Sequence, residues 1–156
     1  MGDVFRVGVT LLGPERDGSW KDGGPESRWA KFRPSVAFSL QQDLPLDRVV
    51  LVYQPDGAEL ASQIEADILE ERRRHPELRH RPEVEARTHR IDNFYDLDGC
   101  FNNLRELFLS LLSASVPQHK RVHLYANINT GSHCTLLAMY LLAFGKVLPD
   151  PFDLVQ

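Results

Sequence analysis

The sequence has little cysteine, no long apolar run and no excess of positive charge, and each absence removes a class of protein. Cys100 and Cys134 are the only cysteines among 156 residues. A chain this long needs no disulfide framework, and two lone thiols suit a reducing compartment, so a cytoplasmic location is expected. No Cys/His cluster has zinc-site spacing, and neither a metal nor an organic cofactor is called for. The longest apolar run, Leu136 to Phe144, is far short of the ~20 residues that span a bilayer, so no membrane partner is expected. The opening MGDVFRVGVTLLG lacks the basic-then-apolar order of a signal peptide and the hydroxyl residue of a myristoylation site. A formal net charge of −4 argues against a general nucleic-acid coat while leaving room for a local basic pocket. The Gly-x-Ser-x-Gly elbow, the Walker loop and Gly-x-Gly-x-x-Gly are all missing, as is any carboxylate pair at fixed spacing. The histidines apart from His133 are scattered and suggest no triad.

What is present fits one soluble globular domain over residues 1–156, with 42% hydrophobic and 26% charged residues. Val4 to Leu12 reads as a strand closed by Gly13-Pro14, and Glu15 to Glu26 as a long loop around Trp20. Pro34 opens a helix to about Gln42. Arg48 to Gln54 has the β-branched content of a fully buried strand. Leu60, Ile64, Ile68 and Leu69 set a helix over Ala58 to Arg74. The run Glu70 to His75 at its end reads as a solvated terminus. Val84 to Ile91 is an edge-strand candidate because of its charges. Asp96 caps a helix from Leu97 to about Ser115, stopped by Val116-Pro117. Val122 to Ile128 is a strand, His133 to about Lys146 a helix, and Asp153 to Gln156 the start of another strand. This alternation predicts an α/β fold: a Rossmann-like, mostly parallel sheet with helices on both faces. In such an order the first and fourth strands are neighbours, and ligands bind beyond their ends.

Two segments meet there. In N-I-N-T-G-S-H, Asn127 to His133, Gly131 permits a close backbone approach, Thr130 and Ser132 bring hydroxyls, and the following helix points its N–H groups at any anion. The turn Asn129, Thr130, Gly131, Ser132 and His133 therefore reads as a phosphate cradle, with Gly13 facing it from the first strand. The plainer reading makes Thr or Ser an N-cap only. In R-W-A-K-F-R-P, Arg28 to Pro34, three cations and two aromatics lie close together. Arg28, Lys31 and Arg33 suit phosphates and Trp29 suits a base face; the plainer reading makes Trp29 and Phe32 core anchors. Asn93 and Tyr95 in D-N-F-Y-D can reach or stack on a base, while Asp96 reads as a helix cap.

At these residues the chain resembles a known family. The N-T-G-S-H turn between strand and helix is similar to the Thr/Ser-Gly signature of CRISPR-associated Rossmann-fold (CARF) domains. R-W-A-K-F-R-P, a helix and then Q-Q-D-L-P-L-D-R-V-V-L-V resemble more closely the N-terminal regulatory domain of the RtcR family, activators of the bacterial RNA-repair operon. The likeness runs from about Arg28 to Pro149 and includes the first strand; the segment between Gly13 and Arg28 departs from it by being longer. It implies a CARF-type sensor that restrains a following AAA+ ATPase module, ahead of a DNA-binding module, in a sigma-54-dependent activator acting on promoter DNA. The implied ligand is RNA with a 2′,3′-cyclic phosphate end, or a small cyclic or linear oligonucleotide held at a homodimer interface. The chain would then be a piece of a longer protein.

The expected function is ligand sensing without catalysis. The enzymatic alternative is a ring nuclease that cleaves cyclic oligoadenylate by in-line attack of a ribose hydroxyl, using Thr130, Ser132, His133 and Lys31 for positioning and charge. A third reading is a dimerisation module with a vestigial pocket. The helix from His133 to Lys146, with Leu136, Leu137, Met139, Tyr140, Leu141, Leu142 and Phe144, has almost no polar face. Either the core covers it entirely or a second copy does.

Overall fold

The computed structural model of the protein describes residues 4–18, 27–113, 121–149 and 151–156, and the side chains of residues 27 and 28 fall outside that description. The chain runs β1 (Val4–Leu11), α1 (Pro14–Asp17), α2 (Ser27–Ala30), α3 (Pro34–Leu40), β2 (Arg48–Tyr53), α4 (Ala58–Arg74), β3 (Glu83–Thr88), α5 (Leu97–Ser113), β4 (Arg121–Asn127), α6 (His133–Phe144) and β5 (Phe152–Val155). The strands form one sheet in the order β3-β2-β1-β4-β5, with every pairing parallel. The expected α/β, Rossmann-like sheet is therefore present, with β1 and β4 adjacent.

Alternation along the strands divides the core. Val50 and Val52 of β2 turn to one side, where they join Val7, Val9 and Leu11 of β1, Val122, Leu124 and Ala126 of β4, and the inner faces of α5 and α6. Val49 and Leu51 turn to the other side and pack with Val36 and Phe38 of α3 and Leu60, Ile64 and Ile68 of α4. A strand that feeds two cores must be apolar throughout, which is why RVVLVY lacks the polar alternation of a half-exposed strand. Gly8 lets α3 press onto β1: a Cβ there would lie 2.6 Å from Leu46 Cδ1 and 2.8 Å from Phe38 Cε1.

Helix ends follow local chemistry. Pro34 takes the first turn of α3, where its missing N–H costs nothing. The Asp96 carboxylate accepts the Asp98 N–H at 3.2 Å and caps α5. Gly145 closes α6 by donating its N–H to Leu141 O at 2.9 Å, so the helix stops at Phe144 and not at Lys146 as expected.

Other differences have equally local causes. The expected loop from Glu15 to Glu26 begins as the short helix α1, while residues 19–26, Trp20 included, lie outside the described residues. The same holds for residues 114–120, with the expected Val116-Pro117 stop. The edge strand β3 ends at Thr88, short of Ile91, because Gln54 takes over from the ladder. Its Nε2 donates to His89 O at 3.0 Å and its Oε1 accepts the Ile91 N–H at 3.0 Å, bending the chain away. The chain after Pro151 does form a strand, β5, at the opposite edge.

Candidate ligand-binding cleft

Beyond the carboxyl ends of the strands lies a cleft of about 860 Å³, within the range that holds small ligands. Its walls are the segments that follow four consecutive positions in the sheet. Leu12 to Arg16 follow β1, Tyr53 to Gly57 follow β2, Arg90, Ile91, Phe94 and Tyr95 follow β3, and Thr130 to Ser132 follow β4. The connections on the β2 side go to one face and those on the β4 side to the other, so the crevice opens where the strand order reverses.

The turn after β4 is tight. Gly131 sits at φ +107, and a Cβ on it would lie 2.6 Å from Thr135 Oγ1, so neither the backbone shape nor the space admits a side chain. Ser132 caps α6 by accepting the Thr135 N–H at 3.2 Å, and its hydroxyl donates to Phe94 O at 3.1 Å. The N-cap reading therefore holds for Ser132, whose hydroxyl is committed to the fold. Thr130 differs. It is buried, it lines the cleft, and its Oγ1 has no hydrogen-bond partner among the described residues. A buried hydroxyl left so costs about 1–3 kcal/mol unless something satisfies it. The N-terminus of the long helix α4 also opens on the cleft, and its N-cap Gly57 provides no side-chain cap. Two helix dipoles therefore favour negative charge there.

The cations at the cleft are Arg16 and Arg90, with Glu15 and Asp56 as the acidic groups of the lining. Arg16 Nη1 donates to Asn129 O at 3.0 Å, joining the wall after β1 to the turn after β4. Arg90 is largely exposed and pairs with Asp92 at 2.9 Å. Sequence reasoning missed both, although Arg16 lies in the segment after β1 and Arg90 two residues beyond β3, and in this fold such segments face the crevice.

Of the expected site residues, the structure brings Gly13, Thr130, Gly131, Ser132 and Tyr95 to the cleft. Asn129 adjoins it through its carbonyl bond to Arg16. Tyr95 is 93% exposed at the mouth. The Asn93 side chain is used locally, accepting the Tyr95 N–H at 2.9 Å. His133 is exposed at the start of α6 and is not part of the lining. The described residues of the basic-aromatic segment are not among the lining residues. Arg33 is only 4% exposed. Its Nη1 meets Asp67 Oδ2 at 2.5 Å and its Nε donates to Asp17 O at 3.2 Å, so its charge answers a buried carboxylate of α4. The ring of half-buried Trp29 lies under the Arg74 guanidinium, 4.7 Å from it, beside the far end of the same helix. Lys31 and Phe32 are exposed away from the lining. The Arg28 side chain lies outside the described residues.

Behind the cleft runs a buried polar chain. Asn127 Oδ1 accepts the Asn129 N–H at 3.0 Å, and Asn127 Nδ2 donates to Thr10 Oγ1 at 3.0 Å. Thr10 Oγ1 and Ser35 Oγ lie 2.9 Å apart. Ser35 Oγ donates to Asp17 Oδ2 at 2.8 Å, and the Asp17 carboxylate also accepts the N–H groups of Gly13 and Ser35, both at 3.0 Å. Burial pushes the Asp17 carboxyl above the ordinary aspartate range, against the pull of those hydrogen bonds and of the Arg33 charge.

Among the described residues no group of three or more His, Cys, Asp or Glu could hold a metal, and no helix is long and apolar enough to cross a membrane. Residues 5–156 match the family model described as "RtcR: Regulator of RNA terminal phosphate cyclase". Comparison with curated protein sequences gives no match. Among solved structures, the chain is similar to Enterococcus italicus Csm6 bound to cyclic hexa-2′-fluoro-hexa-dAMP, with TM-score 0.62 and 12% identity over 97% of this chain and 33% of that one. It is also similar to Can2 from Sulfobacillus thermosulfidooxidans in complex with cyclic tetra-adenylate, with TM-score 0.43 and 15% identity over 85% of this chain and 27% of that one. The chain therefore spans a third or less of either protein, and the likeness to Csm6 is one of fold.

Proposed function

The chain belongs to the RtcR family, regulators of RNA terminal phosphate cyclase, and from that premise we propose that its cleft is the sensor site of the regulator. The ligand is a phosphate-bearing nucleotide species: an RNA end with a 2′,3′-cyclic phosphate, or a small cyclic or linear oligonucleotide. The observation that carries this reading is the Thr130 hydroxyl, buried at the cleft without a hydrogen-bond partner among the described residues beside two helix N-termini and Arg16. A phosphate oxygen there meets a hydroxyl donor, backbone N–H groups and a cation together. Occupancy would then relieve restraint on an AAA+ module, in cytoplasmic full-length activators that work with sigma-54 polymerase at promoter DNA.

Binding without cleavage is the favoured form of this reading. The ring-nuclease alternative needs groups poised at the scissile phosphate. The Ser132 hydroxyl is already engaged with Phe94, and Lys31 and His133 are not among the lining residues. Incubating the chain with a labelled short RNA ending in a 2′,3′-cyclic phosphate, and separately with labelled cyclic tetra-adenylate, tests the proposal. Intact bound ligand supports it, cleavage products favour the nuclease, and no binding of either sinks the sensor reading.

A homodimer is the accompanying proposal. On α6, Thr135, Ala138, Met139 and Leu142 face the core, while Leu137, Tyr140, Leu141 and Phe144 remain exposed, Phe144 by 78%. The core thus covers only part of a helix that lacks a polar face, and a second copy would cover the rest through an isologous contact. Sedimentation at micromolar concentration decides this: a chain that stays monomeric with ligand present removes the shared interface.

A further inference from the structure

Two of the cleft's four walls, those after β1 and β4, come from opposite ends of the chain, yet they are tied into one ring. From Asn129 the ring passes inward through Asn127, Thr10 and Ser35 to Asp17. It returns outward through the neighbouring residue, Arg16, which holds Asn129 O. Asn127, Thr10, Ser35 and Asp17 are all fully buried.

The ring has one direction. Ser35 Oγ donates to Asp17 Oδ2, which fixes the sense of the chain. The Ser35 oxygen then accepts from Thr10 Oγ–H, and the Thr10 oxygen accepts from the Asn127 amide N–H. That leaves the Asn127 carbonyl oxygen facing the other way, where it takes the Asn129 N–H. Every donor along the path has one acceptor, and reversing any link would set two donors or two acceptors face to face. Fully satisfied buried networks of this kind rigidify what they join.

We propose that Asp17, Ser35, Thr10 and Asn127 are positioning residues that lock the Gly13–Asp17 wall to the Asn129–Ser132 turn, so that ligand affinity depends on side chains outside the cleft lining. The effect on affinity rests on the reading of the cleft as the sensor site; the lock itself does not. None of the four is among the lining residues, so their contribution is to the cradle's shape before the ligand arrives. A cradle preformed in this way spares the ligand the cost of ordering two loops.

Amide hydrogen exchange on the ligand-free chain tests the lock directly. Thr10→Val keeps the volume and removes the hydroxyl, and Thr10→Ser keeps the hydroxyl. The Asn129 amide should exchange about tenfold faster or more in Thr10→Val, the scale of one net hydrogen bond, and at the parental rate in Thr10→Ser. The Leu124 amide, inside β4, should be unchanged in both. Ser35→Ala breaks the same ring at a second link and serves if Thr10→Val does not fold. Affinity for a short RNA ending in a 2′,3′-cyclic phosphate should fall about tenfold in parallel, by the same accounting. Parental exchange at Asn129 in the hydroxyl-less variants would overturn the lock. A parent that exchanges as expected but binds no probe would instead count against the sensor reading, leaving the lock standing.

Discussion

Arg33 and Asp67 meet at 2.5 Å with side chains 3% and 2% exposed, so the cation that opens α3 answers a carboxylate in the apolar stripe of α4. Removing one partner from such a pair strands the other charge in the core. Arg33→Ala should cost about 3–5 kcal/mol of stability by urea unfolding, whereas the joint change of Arg33→Met and Asp67→Leu should cost far less. Where Arg33→Ala remains folded, the salt dependence of ligand binding should match the parent.

Gly131 is the position where a substitution should abolish binding. At φ +107 a side chain is strained by about 1–3 kcal/mol whatever its size, and its Cβ would also lie 2.6 Å from Thr135 Oγ1. Gly131→Val should bind neither probe while its melting temperature falls modestly; parental affinity in a folded Gly131→Val would remove the cradle from the site. Thr130→Ala should lose less, about 1–2 kcal/mol, the scale of one bond to a charged group.

Charge at the cleft resides in Arg16 and Arg90, so these should set the ionic-strength response. Each change to Ala should lower affinity and reduce the slope of log affinity against log salt by about one unit for each phosphate no longer neutralised. Trp29→Ala should leave both quantities as they are, since its ring packs under Arg74. A slope that follows Trp29 or Lys31 and not Arg16 would reassign the site to the basic-aromatic segment.

Asp17 should make stability depend on pH in a defined direction. Burial raises its carboxyl pKa in the folded chain, so the native state binds the proton more readily than the unfolded one. The contribution is present at low pH and is lost as pH rises through the raised value. Compared with Asp17→Asn, which removes this titration, the parent's relative stability should be greatest at pH below the ordinary aspartate range and should decline as pH rises above it. A difference between the two proteins that is flat with pH, by urea unfolding, would contradict the shift.

The sequence shows its architecture openly because the relevant signals are local. Buried strands read as apolar runs, α4 and α5 carry their stripes at helical spacing, and the N-T-G-S turn announces a tight loop before a helix. The rule that strands β1 and β4 flank the crevice points to Gly13, Thr130 and Gly131, and these do line the cleft. The cations were harder. Arg28 to Pro34 drew attention through its density of charge, but the fold turns Arg33 inward to a partner 34 residues away. The signal for that was Asp67 itself, a carboxylate in line with Leu60, Ile64 and Ile68 where a solvated face should not reach. Asp17 gave no comparable sign, because an aspartate in a Gly-rich stretch reads as solvated until the packing of α3 encloses it.

Ser132 and Phe94 meet across 38 residues of chain at the cleft, whereas the bond from Arg16 to Asn129 spans 113. Loop closure over that distance waits on the pairing of β1 with β4, the most remote event in the fold. A nascent chain that has made β1, β2 and β3 lacks the Thr130–Ser132 side of the cleft. On the sensor reading proposed above, a partly folded copy would lack the Thr130 side of the cleft and with it the ligand site.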